Sequence, residues 1–145
     1  MFNPHPLSRT RKRSAVALIK LLLADNKPEI LRVHRHELLG VLLWKLTESE
    51  SHKHKTRFQS HAVVNRKRKL KLRHDHVFQR SKMIDRLEGA AKRKIDIILK
   101  NAIACTVTDR EHRLLSGFDK EYDGWARYKN AEIRVIDTKT GKRKI

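Results

Sequence analysis

The sequence predicts an α+β fold made of an N-terminal helical hairpin, a short antiparallel sheet and a C-terminal β-hairpin. Three observations carry that expectation. Apolar residues recur at threes and fours between Val16 and Leu46, which is helix spacing. Apolar and polar residues alternate over Lys69–Arg73 and again over Glu132–Asp137, which is strand spacing. The β-prone run Ile103–Val107 leads directly into Thr108-Asp-Arg-Glu111, where a capping residue and a glutamate three positions later mark a helix start. With 145 residues, 39% of them apolar, the chain has the size of one domain.

Taken in order, residues 1–13 hold two prolines, no apolar period and four cations between Arg9 and Arg13, so they are expected to form a flexible basic arm ahead of a single domain over 14–145. Ser14 is placed to cap a helix over about 15–25, with Val16, Ile19, Leu22 and Leu23 on one face. A second helix is expected over about 28–47, Pro28 sitting in its first turn and Ile30, Leu31, Leu38, Leu42 and Leu46 on its apolar side. A short strand near 61–64, a turn at Asn65-Arg66 and a second strand near 69–73 follow, the latter entering the cluster His74-Asp75-His76. Ser81 is expected to cap a helix over about 82–101 whose middle is weakened by Gly89. Trp125-Ala-Arg-Tyr128 begins a short helix, and Gly141 takes the left-handed position of the closing hairpin.

Charge narrows the function classes. Lys and Arg number 35 against 16 Asp and Glu, a formal net charge of +19, well beyond what solubility asks of a small domain. The partner this predicts is a polyanion, and nucleic acid before others, because cationic side chains displace the counterions condensed on a phosphate backbone. Nine of the cations, Lys53, Lys55, Arg57, Arg66, Lys67, Arg68, Lys69, Lys71 and Arg73, lie between Ser51 and Arg73 with no acidic residue among them, and these are the candidate phosphate contacts. The longest apolar run, Ala15–Ala24, contains a lysine and is too short to span a bilayer, so the expectation is a cytoplasmic protein with no membrane partner. A single cysteine, Cys105, excludes an internal disulfide and a Cys-only zinc site, and its apolar surroundings predict a packing role.

Histidine spacing supplies the candidate chemistry. Of the three His-X-His pairs, His34/His36 falls on a predicted helix, where residues two apart point to different faces, and His52/His54 lies in the basic block. His74/His76 sits on a predicted strand end, where both point to one side and Asp75 to the other. Asp75-His76, followed downstream by Asn101 and His112, resembles the HNH or ββα-metal nucleases over about residues 69–116. The resemblance implies that Asp75 and His112 hold a divalent metal, Mg²⁺ or Mn²⁺ or else Zn²⁺, that His76 is the general base and that Asn101 orients it. Phosphodiester hydrolysis would need that Lewis acid beside the phosphate and a base of near-neutral pKa. Here the interval from Asn101 to His112 is longer than that family's, and its zinc-knuckle cysteines are missing. The blocks around His74–His76, Cys105–His112 and Gly124–Tyr128 also resemble a small bacterial or phage family, a likeness that implies no activity. Two functions stay open: an HNH-like metal-dependent endonuclease, and a non-catalytic basic nucleic-acid-binding protein, a component or inhibitor of a phage or bacterial nucleic-acid machine.

Overall fold

The computed structural model describes residues 2–145; Met1, the first residue of the predicted arm, lies outside them. The chain is α+β, with an N-terminal helical pair, α1 (Ser8–Ala24) and α2 (Arg32–Glu48), packed beside an open five-stranded sheet. Helix α1 starts at Ser8, not near Ser14, so the expected free arm needs correction: residues 8–13 are its first turns. Arg and Lys are good helix formers, and those in this stretch sit on the exposed side of a helix that buries Ala15 and Ile19. Ahead of the helix the backbone is tied down. Phe2 N–H donates to Thr138 O and His5 N–H to Glu50 O, both at 3.1 Å, and Pro4 bridges Ser51. Helix α2 begins at Arg32, because Pro28 lies in a turn in which Ile30 N–H bonds Lys27 O, and it buries Leu39, Leu43, Leu46 and Thr47 along one face.

The sheet strands are β1 (Phe58–Ser60), β2 (Leu72–His76), β3 (Ala104–Thr108), β4 (Val135–Asp137) and β5 (Lys142–Arg143), in spatial order β2-β3-β1-β4-β5. The sheet is mixed instead of antiparallel as expected. β1 runs parallel to β3, while the β2/β3, β1/β4 and β4/β5 pairs are antiparallel. A parallel pair requires a long crossover, and here everything from residue 61 to 103 supplies it. Within it, residues 61–64, expected as a strand, form helix α3 (His61–Val64), because the Ser60 side chain accepts from Val63 N–H at 3.3 Å and caps it.

The expected long helix over 82–101 is instead two, α4 (Arg80–Glu88) and α5 (Ile95–Leu99), with a 3₁₀ turn at Lys92–Lys94 between them. The break falls at Gly89, the residue whose backbone entropy makes it the weakest helix member. Helix α6 (Asp109–Ser116) starts with the expected capping box: Thr108 Oγ1 accepts from Glu111 N–H at 3.2 Å and Thr108 N–H donates to Glu111 Oε2 at 2.8 Å. Helix α7 (Trp125–Asn130) and the β4/β5 hairpin, with Gly141 at φ +71°, complete the chain.

Two apolar clusters form the interior. Ile19, Leu39, Leu43, Ile84 and Leu87 join α1, α2 and α4. Val77, Cys105, Val107, Leu115, Tyr128 and Val135 join the sheet to α6 and α7, and Phe78 packs against both clusters. Cys105 is fully buried, in line with the packing role its surroundings predict.

Phe78 owes its place to Gly124, whose backbone at φ 62° and ψ −147° is open essentially to glycine alone. A Cβ there would lie 2.5 Å from Phe78 Cε1. Gly124→Ala should therefore lower the unfolding free energy by about 2–4 kcal/mol, the sum of backbone strain and overpacking, in a urea melt. Wild-type stability in that variant would mean that Phe78 does not bridge the clusters as described.

Candidate functional site

Strand β2 sorts the His-Asp-His cluster onto two faces. His74 and His76 turn towards α2, where their Nε2 atoms lie 3.0 and 3.1 Å from Thr47 Oγ1. That hydroxyl is also 2.9 Å from Trp44 O, which can only accept, so the Thr47 proton goes to Trp44 and both imidazoles donate through Nε2. The Trp44 ring packs on both, with centroids 5.0 Å from His74 and 5.1 Å from His76, and the Arg80 guanidinium lies 5.2 Å over the indole. Burial pushes His74 down to about 4, with His54 and Arg80 adding to it and Glu48 opposing. Burial also pushes His76 down to about 3, helped by His74, Arg80 and Arg127.

Asp75 points the other way, into the cluster below the sheet. Its Oδ2 accepts from Arg127 Nη2 and from Tyr128 Oη, both at 2.5 Å. Arg127 further donates to His76 O at 2.7 Å and to Asp119 Oδ1 at 2.7 Å. Burial raises the Asp75 carboxyl above its ordinary value, against the pull of Arg127, Tyr128 and His112. For Arg127, burial works against the charge, but Asp75 and Asp119 outweigh it and the guanidinium is held charged. Burial likewise pushes the Tyr128 hydroxyl and the Cys105 thiol well up.

Of the four residues to which the nuclease resemblance gave chemistry, the fold brings two together: His112 Nε2, on α6, lies 3.7 Å from Asp75 Oδ1. His76 is bonded to Thr47 and not to Asn101, which lies in the turn after α5 with its own N–H on Ile98 O. A metal at Asp75 and His112 would have two protein ligands, one fewer than a catalytic zinc centre uses, and Asp75 Oδ2 is already filled by Arg127 and Tyr128. The pair thus falls short of a zinc site, and any divalent ion there would have only Asp75 Oδ1 and His112 from the protein. Among the described residues, the group of three metal-ligating side chains that do approach one another is His36, Asp85 and Glu88, with ligand atoms within 4.8 Å; there Arg32 takes Glu88 Oε2 at 3.4 Å.

The basic block divides as well. Arg57 grips Asp137 through two hydrogen bonds of 2.9 and 2.7 Å, which hold that carboxyl down at about 2, so its work is inside the fold. Arg66 donates to Val63 O at 2.7 Å, and Arg73 bonds Asp109 at 2.6 Å with Lys71 3.9 Å from the same carboxylate. Lys55, Lys67, Arg68 and Lys69 are exposed.

Lys53 and Arg73 line a cleft of about 770 Å³ whose other cations, Arg11 and Arg80, come from α1 and α4. His5, His52, His54, His74 and His112 also face it, and Glu48 is its one carboxylate. A second cleft, of about 640 Å³, shares Trp44, His74, Arg80 and His112 with the first and adds Asp75, His76 and Arg127. Sequence reasoning missed His5, Arg11, Trp44, Thr47, Arg80 and Arg127, since each meets its partners across tens of residues. The one local hint was Thr47 on an otherwise apolar helix face, three residues after Trp44.

Comparison with known proteins finds no matching family model, no matching curated protein and no matching solved structure.

The two imidazoles on Thr47 set a pH dependence. Their values lie below the ordinary 6.5 in the fold, so from about pH 6.5 down to about 4 the unfolded chain binds more protons than the native one. Stability must then fall as pH falls through that window. Thermal melts from about pH 7.5 to about pH 4.5 should show this loss, and a His74→Gln/His76→Gln variant should have a flatter profile. A wild-type melting temperature constant across the window would contradict buried, neutral imidazoles.

Proposed function

We propose that this protein binds nucleic acid through its phosphate backbone, as a non-catalytic basic protein, with the phosphates lying in and around the cleft between α1, α2 and β2. The observation that carries this reading is the lining of that cleft: Arg11, Lys53, Arg73 and Arg80 converge on one concavity with a single carboxylate, Glu48, to offset them. Permanent cations gathered in a concave wall focus their field on it and raise the local concentration of an anion. Lys67, Arg68 and Lys69, exposed on the segment that leads into β2, extend the positive surface away from the cleft. Among the described residues no helix is long and apolar enough to cross a membrane, and under this reading the protein works in the cytoplasm, where nucleic acid is within reach.

Phosphate contacts of this kind release counterions, so affinity for an oligonucleotide should fall steeply with salt. Arg11→Glu/Lys53→Glu should weaken binding by tenfold or more at moderate salt and reduce the slope of log affinity against log salt by about two. Reversal of Arg66, Lys67, Arg68 and Lys69 to glutamate should weaken it further by removing the outlying surface. Unchanged affinity and slope in the cleft variant would move the phosphate contacts elsewhere.

The endonuclease reading has one geometric point in its favour, the 3.7 Å approach of His112 to Asp75. Against it stands a candidate base, His76, lowered to about 3 and bonded to Thr47, which would be a poor proton acceptor for water near neutrality. The expected outcome with Mg²⁺ or Mn²⁺ is binding without cleavage of plasmid DNA or RNA. Chelator-sensitive cleavage that His112→Ala abolishes would reinstate the nuclease and displace the non-catalytic reading.

A further inference from the structure

The two clefts meet at Trp44. They share that residue with His74, Arg80 and His112, so the indole stands at the saddle between a cationic hollow of about 770 Å³ and a neighbouring one of about 640 Å³. Hollows of several hundred Å³ enclose ligands of nucleotide scale. A duplex, by contrast, is read by elements that project into its grooves, and its base faces are covered by their own neighbours.

The groups around the indole differ in how firmly they are held. His74 and His76 are partly buried, anchored on Thr47, and packed against the ring from β2. Arg80 is exposed; its guanidinium lies over the ring with one hydrogen bond to the protein, Nη1 to Gly40 O at 3.2 Å. The movable member of the stack is thus a flat cation, which a base can displace or extend, since bases and guanidinium planes both stack on aromatic faces. Arg11, Lys53 and Arg73 line the adjoining hollow, where the phosphates on either side of such a base would run.

We infer that Trp44 is a stacking platform for an unpaired base, so that the nucleic acid this protein takes is single-stranded, its backbone lying along Arg11, Lys53 and Arg73. The inference rests on the nucleic-acid reading above. Stacking platforms inside positively charged grooves are the general solution for gripping a single strand without reading its sequence.

The chain has two tryptophans, and Trp125 packs edge-on against Phe58 away from both clefts. In the full-length Trp125→Phe variant Trp44 is the only indole emitter. Titration with single-stranded DNA and single-stranded RNA of mixed sequence should quench that emission. Each single strand should bind at least about tenfold more tightly than duplex of the same length. Trp44→Ala should weaken single-strand binding by about five- to a hundredfold, the range that one base stacked on an aromatic ring supplies, and weaken duplex binding by less, so that the preference for single strand shrinks. Should that variant fail to fold, the emission of Trp44 in the Trp125→Phe protein decides alone. Duplex bound as tightly as single strand, or Trp44 emission unmoved at saturation, would overturn the inference and leave the nucleic-acid reading standing. Absence of binding to every probe would sink both.

Discussion

Arg127 reaches from the first turn of α7 to the carboxylate of Asp75, and the same guanidinium holds the carbonyl of His76 and the carboxylate of Asp119. Two separate pieces of chain, β2 and the turn after α6 that holds Asp119, are thereby fixed to α7 by one side chain that is 3% exposed. Taking two opposite charges out of water costs several kcal/mol each, and their attraction offsets this only when geometry is good and the remaining polar atoms are satisfied. Tyr128 meets part of that condition by donating to the same carboxylate oxygen as Arg127. The tie also sets which way β2 faces. A slip of one residue would bury His74 and His76 below the sheet and turn Asp75 towards α2, so the pairing of Asp75 with Arg127 selects the register in which both imidazoles reach Thr47.

Acidic residues are few, and the fold uses many of them internally. Asp137 neutralises Arg57, Asp109 collects Arg73, Lys71 and Arg113, and Asp123 takes Arg86. What remains on the outside is therefore more one-sided than composition alone suggests, and like charges at close quarters work against compactness. The cleft concentrates that imbalance: Arg11, Lys53 and Arg80 face one carboxylate, beside an Arg73 already paired with Asp109. An anion entering it relieves a repulsion already present in the free protein.

Local rules made much of the fold legible, and long-range contacts account for the rest. The capping box at Thr108 and Glu111, the hairpin glycine at 141 and the two-sided placement of His74, Asp75 and His76 follow from neighbours within a few residues. Residues 61–64 read as a strand because Ala62-Val63-Val64 is β-prone, yet the Ser60 cap three residues before Val63 outweighed propensity in that short stretch. The start of α1 was hidden by a run of cations that suits a helix surface as well as a free tail. The site was less legible than the fold: its cations come from α1, from the segment after α2, from β2 and from α4, and no spacing rule links Arg11 to Arg80. Asp75 invited a metal because Asp75-His76, with Asn101 and His112 downstream, resembles the HNH pattern. The cation it meets in the fold, Arg127, lies 52 residues downstream in a helix of only six residues.

Strand β1 sits in the middle of the sheet, between β3 and β4, although it comes first of the five in the chain. During synthesis it therefore emerges with neither neighbour available, and more than forty residues separate it from β3. Local helices such as α1 and α2 can form early, whereas the sheet must wait for distant segments to meet, which places the slow step of folding late. Until then Phe58 to Ser60 has two unpaired edges, and a nascent chain of this composition depends on mutual repulsion between its many cations to keep such edges from pairing with other copies.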